Sequence, residues 1–185
     1  YRIVSHETSG LTKITSAAPL KSSGNFVTST FGSNATFSSS NTIGTFLNGE
    51  YLTSYVDSSY SDMIEESTTW YLGTVGDGAS YKLAKYTDET GNTLASSTTT
   101  AKVGLLRLGE LMSGQFDRYG NNTYYWTLTP YSASNVRHVN DYGNADGNNP
   151  SSASGVRPSI NLKSNVQIVN GDGTLNSPFE IQLGS

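Results

Sequence analysis

One stretch of this 185-residue chain keeps its apolar residues at helical spacing over several turns: Ile43, Phe46, Leu47, Tyr51, Leu52 and Tyr55. Asn41 or Thr42 stands ahead of it, placed to accept an orphan backbone N–H. Most other apolar residues fall in strand-length runs bounded by Gly, Asn, Asp or Ser. That contrast constrains the fold more than any other feature, because it makes helices insertions into a strand framework. Strands are predicted over 1–4, 11–15, 68–72, 81–86, 102–107, 124–129, 135–140, 156–162, 166–169 and 179–183. Short helices are predicted over 60–66 and 108–112. The stretch 88–100 reads as polar and turn-rich. The Ser/Thr-rich stretch 22–40 carries Phe26, Phe31 and Phe37, which a free linker would lack, so it reads as an ordered loop pinned to the core. "NGDGT" at 170–174 supplies Asp-Gly turn chemistry between the last two strands. No fixed-period repeat is present. The fold class is α+β: a single compact domain over 1–185, mostly antiparallel strands with two or three short helices.

Composition narrows the setting. Charged residues make up 14% of the chain, hydrophobic ones 35%, and 12 Tyr, 6 Phe and 2 Trp supply large side chains for a core. The polarity is thus uncharged, and charge repulsion does not oppose folding. The net charge is −4 and the 11 basic residues are scattered, which argues against nucleic acid as a partner. No apolar run approaches the roughly 20 residues of a membrane span. No signal peptide is present, so the chain reads as a mature or excised fragment. The absence of cysteine removes disulfides, thiolate metal sites and cysteine nucleophiles. A Ser/Thr/Asn/Gly-rich, Lys-poor surface suits an extracellular, cell-surface protein.

The segment "YWTLTP" at 125–130 is followed by a polar stretch and then by "GVRPSINLKSNVQIVNGDGTLNSPFEI". This order closely resembles a widespread family of uncharacterised bacterial domains with the motif GVRPxINLKSxVxIxxGDGTxxxPFxI. "NTIGTFLNGEYLTSY" and "VGLLRLGEL" resemble the helix and central strand of the same family. Its members sit mainly in surface and secreted proteins of Gram-positive bacteria, including pilin-like proteins. More distantly, the order of Trp strand, variable stretch and Gly-aliphatic-Arg resembles the C-type-lectin-like fold, shared with formylglycine-generating enzymes. That likeness implies that the stretch 131–154 lies on the ligand-facing surface. It does not carry over the formylglycine chemistry, which needs cysteines.

Catalytic groupings are hard to assemble. His138 has no Gly-x-Ser-x-Gly elbow to serve, and reads as a surface or loop-packing histidine. Glu65 and Glu66 are adjacent and cannot face each other across a cleft as glycosidase carboxylates do; they read as a solvated helix end. Glu50 and Glu110 are isolated. Catalytic and metal residues are therefore none. Calcium is the one cofactor candidate: Asn144, Asp146 and Asn148 alternate near Asp141, as at the start of an EF-hand loop. The pattern then departs, with Asn149 at the sixth position and Gly155 at the twelfth. Arg157, before Pro158, reads as a buried arginine paired with carbonyls or a carboxylate. Asn161 and Lys163 are the residue types that intramolecular isopeptide bonds join in some cysteine-free surface domains, given a neighbouring acid in an apolar core.

Aromatic side chains can stack on sugar rings while Asn, Asp and Arg bond the hydroxyls. Trp126, within a strand, reads as core. Tyr131 and Tyr142 read as exposed, with Arg137 beside them. The predicted ligand-binding set is Tyr131, Arg137, Asp141, Tyr142, Asn144, Asp146 and Asn148, presented through a 131–149 loop. The expected function is a non-enzymatic surface ligand-binding or adhesion domain. Its partner is a surface glycan or a host or cell-surface protein. The alternative is a structural subunit or spacer of a surface filament, type IV pilin-like, touching neighbouring subunits.

Overall fold

The computed structural model describes residues 1–76, 97–114 and 121–185. The strand predicted over 81–86 lies outside them, as does most of the stretch 88–100. In chain order the first strands are β1 (Arg2–His6), β2 (Thr12–Thr15), β3 (Lys21–Ser22), β4 (Asn25–Phe26) and β5 (Thr28–Thr30). Helices α1 (Thr42–Asn48) and α2 (Glu50–Ser54) follow, then a 3-10 helix over Ser58–Met63. Strands β6 (Thr68–Tyr71), β7 (Thr98–Ala101) and β8 (Val103–Leu105) precede α3 (Leu108–Ser113). The remainder is strand: β9 (Tyr125–Pro130), β10 (Val136–Val139), β11 (Ala145–Asn148), β12 (Ala153–Gly155), β13 (Pro158–Leu162), β14 (Val166–Asn170) and β15 (Glu180–Leu183). The chain is an α+β domain of mostly antiparallel strands with three short α-helices among the described residues.

Two sheets carry it. The four-stranded one runs β1-β2-β13-β8, all antiparallel, so a strand near the start and one near the end lie side by side at its centre. The five-stranded one runs β11-β10-β9-β12-β5, with a single parallel pair between β12 and β9. Three hairpins, β3–β4, β6–β7 and β14–β15, stand apart as two-stranded ribbons.

The main core draws on both sheets and on α1: Phe31, Phe37, Leu47, Trp70, Trp126 and Ile160 are all buried in it. Burying each such side chain contributes about 1.5–3 kcal/mol. A smaller cluster of Leu106, Leu111, Tyr125 and Val139 lies on the other side of β9 and β10. Both faces of those strands are therefore covered, and every residue of β9 and β10 is buried. The two threonines of β9 are satisfied in place. Thr127 Oγ1 donates to the Arg137 carbonyl at 2.8 Å, and Thr129 Oγ1 accepts from the Leu108 N–H at 2.9 Å.

Three sequence readings change. The helix expected through 43–55 is two helices, because Gly49 (φ −125°, ψ −95°) leaves helical geometry between them. Asn41 does cap α1, its Oδ1 accepting from the Gly44 N–H at 2.9 Å. The helix expected over 60–66 is the 3-10 turn at Ser58–Met63, capped by Asp57. The loop expected over 131–149 is a β-hairpin, and Ala153–Gly155 beyond it is also a strand. The stretch 22–40 is ordered as read: Phe31 and Phe37 are buried, and β5 pairs with β12.

Candidate functional site

The candidate site is the end of the five-stranded sheet where β10 turns into β11. The turn is locked from within. Asn140 Oδ1 accepts from the N–H groups of Tyr142 and Asn144, each at 3.0 Å, and the Gly143 N–H donates to the Asn140 carbonyl at 2.9 Å. Tyr142 projects from this turn and is 74% exposed. On one face of the sheet, His138 lies opposite Trp126 on β9 and Asp146 on β11. The His138 ring packs between Trp126, at 5.8 Å between centroids, and Tyr124, at 5.2 Å. Trp126 is core, as expected, and donates through Nε1 to the Ser29 carbonyl at 2.8 Å. Tyr124 is the exposed end of this stack.

The predicted residues divide. Tyr142, Asn144 and Asp146 are exposed, and Asp141 and Asn148 are half-buried beside them. Arg137 is corrected: it is only 2% exposed and does not project to a ligand. Its Nε donates to the Val75 carbonyl at 2.9 Å, and its guanidinium lies 4.2 Å from the centre of the Tyr131 ring. Tyr131 in turn lies against Gly147, where a Cβ would come within 2.6 Å of the ring. Arg137 and Tyr131 therefore brace the hairpin from behind. His138 is a packing residue and not a surface one, with its imidazole buried in the aromatic stack.

Burial holds His138 below the ordinary histidine value of 6.5, and the Asp146 carboxylate opposes that shift from across the strand pair. His138 Nδ1, Asp141 Oδ1 and Ser154 Oγ are buried atoms without a hydrogen-bond partner among the described residues. They do not form a relay. Ser154 lies on β12, two strands from His138, and two strand spacings are about 10 Å. Two of the oxygens considered for calcium are turned to the backbone: Asp146 Oδ1 accepts from the Gly147 N–H and Asn148 Oδ1 from the Asn149 N–H. Among the described residues no group of three His, Cys, Asp or Glu side chains is placed to hold a metal. An open groove lined by Tyr1, Ala17, Pro19, Leu20 and Tyr55 includes none of the predicted residues.

A family model described as "Domain of unknown function (DUF6273)" matches residues 21–164. The chain belongs to that family. No curated protein and no solved structure matches it. The DUF6273 span runs from β3 past the end of β13 and so contains the hairpin, the His138 stack and Arg157. Strands β1 and β2 and the β14–β15 hairpin fall outside it.

Within the DUF6273 span, Arg157 has the buried role expected. Its Nε donates to the Ser16 carbonyl at 2.9 Å and its Nη2 to the Ala17 carbonyl at 2.7 Å, while the guanidinium stands 5.4 Å from the Tyr125 ring. Glu66 is exposed and pairs with Lys102 at 2.6 Å. Tyr124, just before β9, joins the exposed aromatic surface. One residue gains a place the sequence did not assign. Glu110, read as isolated, is buried against Lys13. No helix among the described residues is long and apolar enough to cross a membrane.

Proposed function

We propose that this domain is a non-enzymatic, extracellular cell-surface module that binds a ligand through the β10–β11 hairpin end. A surface glycan is the class it fits best. The observation that carries this reading is Tyr142, a large aromatic ring presented to solvent on a turn that Asn140 holds rigid. A rigid, two-torsion aromatic loses little conformational freedom on binding, and its face suits the apolar face of a sugar. Asp141, Asn144 and Asp146 supply hydroxyl-bonding groups around it, and Tyr124 offers a second ring. The cysteine-free, Ser/Thr-rich composition supports the extracellular setting. A distant C-type-lectin-like relationship fits the pairing of β2 with β13 and the ligand surface at the end of the sheet that holds Trp126.

The experiment is a glycan array followed by titration of any sugar bound. Tyr142→Ala should abolish binding, whereas Tyr60→Ala, at an exposed tyrosine on the 3-10 helix, should not. Equal binding by wild type and Tyr142→Ala refutes the assignment.

A second reading rests on a different surface. The β14–β15 hairpin leaves Ile168, Val169, Leu175 and Phe179 exposed, which suits a structural subunit or filament spacer that meets a neighbouring copy. Sedimentation across a concentration series distinguishes the two: self-association abolished by Ile168→Ser supports the subunit reading.

A further inference from the structure

Strands β2 and β13 set Lys13 and Asn161 directly opposite each other in an antiparallel ladder. Their side chains leave on one face, with Cβ atoms about 4.5–5.5 Å apart. Both residues are buried. Lys13 Nζ donates to Glu110 Oε1 at 2.9 Å, and the two side chains are 8% and 4% exposed. Glu110, in the first turn of α3, is fixed by its other oxygen, which accepts from the Arg107 N–H at 3.0 Å. The Trp70 ring covers the amine, its centre 5.0 Å from Nζ. The carboxamide is oriented too: Asn161 Nδ2 donates to Thr68 Oγ1 at 3.3 Å, and Thr68 donates to the Ala101 carbonyl at 3.0 Å. An amine, a carboxamide and a carboxyl group are thus held together, away from solvent, beneath β6.

Lysine is among the side chains least often fully buried, and a buried ion pair is weak support for stability by itself. The directly opposed asparagine gives this cluster a chemistry. We propose that Lys13 and Asn161 join in an intramolecular isopeptide bond, with Glu110 carrying the protons. This replaces Lys163, which lies beyond the end of β13, as the partner of Asn161. A proton passes from the ammonium to Oε1 along the hydrogen bond, which leaves a lone pair on Nζ. Nζ attacks Cγ of Asn161, and the carbonyl π electrons move to Oδ1. Glu110 protonates Nδ2 and takes a proton from Nζ. The carbonyl re-forms as the Cγ–Nδ2 bond breaks, and ammonia departs with that electron pair. One amide is exchanged for another, nothing is oxidised or reduced, and the proton in excess stays on Glu110 or leaves as ammonium. No cofactor is needed. The bond would clamp β2, outside the DUF6273 span, to β13 within it, whichever ligand the hairpin takes.

The test is the intact mass and peptide map of the freshly purified, folded chain. The expected mass is about 17 Da below that of the sequence, with the Lys13 peptide recovered covalently joined to the Asn161 peptide. Asn48–Gly49 and Asn170–Gly171 can lose the same mass as succinimides, so the joined peptide decides and the mass alone does not. Glu110→Gln, if folded by circular dichroism, should return the full mass with Lys13 and Asn161 in separate peptides. A joined peptide that persists in folded Glu110→Gln overturns the role of Glu110. Recovery of separate Lys13 and Asn161 peptides from the wild-type chain overturns the bond, whether or not any variant folds.

Discussion

Gly104 is the middle residue of β8, a strand buried along its whole length, and it faces Ser159 across the ladder. A methyl group there would lie 2.6, 2.7 and 2.8 Å from three atoms of the Trp70 indole. Carbon atoms settle at about 3.5–4.0 Å, so the ring would have to move by roughly 1 Å. It has little freedom to do so. Trp70 is fully buried, its Nε1 donates to the Ala101 carbonyl at 3.0 Å, and Lys13 lies against its face. Overpacking costs about 1–3 kcal/mol, and an orphaned buried donor about 1–3 kcal/mol more. Gly104→Ala should therefore destabilise the domain by about 2–6 kcal/mol. At about 2–4 °C per kcal/mol, the melting temperature should fall by about 4–24 °C. Urea denaturation followed by far-ultraviolet circular dichroism measures the loss without using the indole as reporter. A double-mutant cycle supplies the mechanism: Trp70→Phe makes room, so Gly104→Ala should cost at least about 0.5 kcal/mol less in that background. A loss below about 0.5 kcal/mol in the wild-type background, or strict additivity in the cycle, would refute close approach of Trp70 as the reason for glycine.

Other expectations follow from single groups. Arg157→Ala should cost about 1–3 kcal/mol in the same urea assay, because it strips donors from the Ser16 and Ala17 carbonyls. Arg157→Lys should recover little of this, since an ammonium cannot reproduce the planar fork. His138 is held below 6.5 by burial, so the unfolded chain binds its proton more readily than the folded one. Its contribution to stability is complete above about 6.5 and declines as pH falls below that value. His138→Gln should flatten that part of the urea-midpoint profile against pH, and an unchanged slope would rule out a buried imidazole. Tyr142→Ala should remove sugar binding while shifting stability by less than about 0.5 kcal/mol, as measured by thermal melting.

The fold class was legible because local signals agreed with one another. The period of Ile43, Leu47 and Tyr51 marked the helical insertion, and Asn41 or Thr42 marked its start, Asn41 being the cap. The alternation in "YWTLTP" separated Trp126 and Leu128, on the main-core side, from Tyr125, on the other. The failures came where pairing overrides propensity. "ADGN" is a poor strand former, yet it forms β11 because β10 offers an open edge. Arg137 looked like a surface group because it lies in the polar stretch between Tyr131 and Tyr142. Only the coverage of β10 on both faces puts it inside, under Tyr131. The exposed part of the candidate site, Tyr142 with Asn144 and Asp146, was readable as turn chemistry. The inner part was not, because the His138 stack depends on the register of three strands.

The Lys13 cluster was hidden for a further reason. Its three members lie in β2, α3 and β13, and none carries a local motif. Glu110 follows a glycine in a short helix and reads as an isolated acid. Lys13 sits in "TKIT", where alternation with Ile14 assigns it to the polar side of the strand. That side is polar only until β6 and β7 are laid over it, and what covers them there is Trp70. The same indole that excludes alanine at Gly104 therefore also seals the amine of Lys13 from water. The two experiments bear on each other. If Gly104→Ala displaces Trp70, it opens the chamber around Lys13 and Asn161, and the fraction of joined peptide should fall together with the stability. A fully joined peptide in a destabilised Gly104→Ala protein would separate the two effects and show that the chemistry does not need the roof.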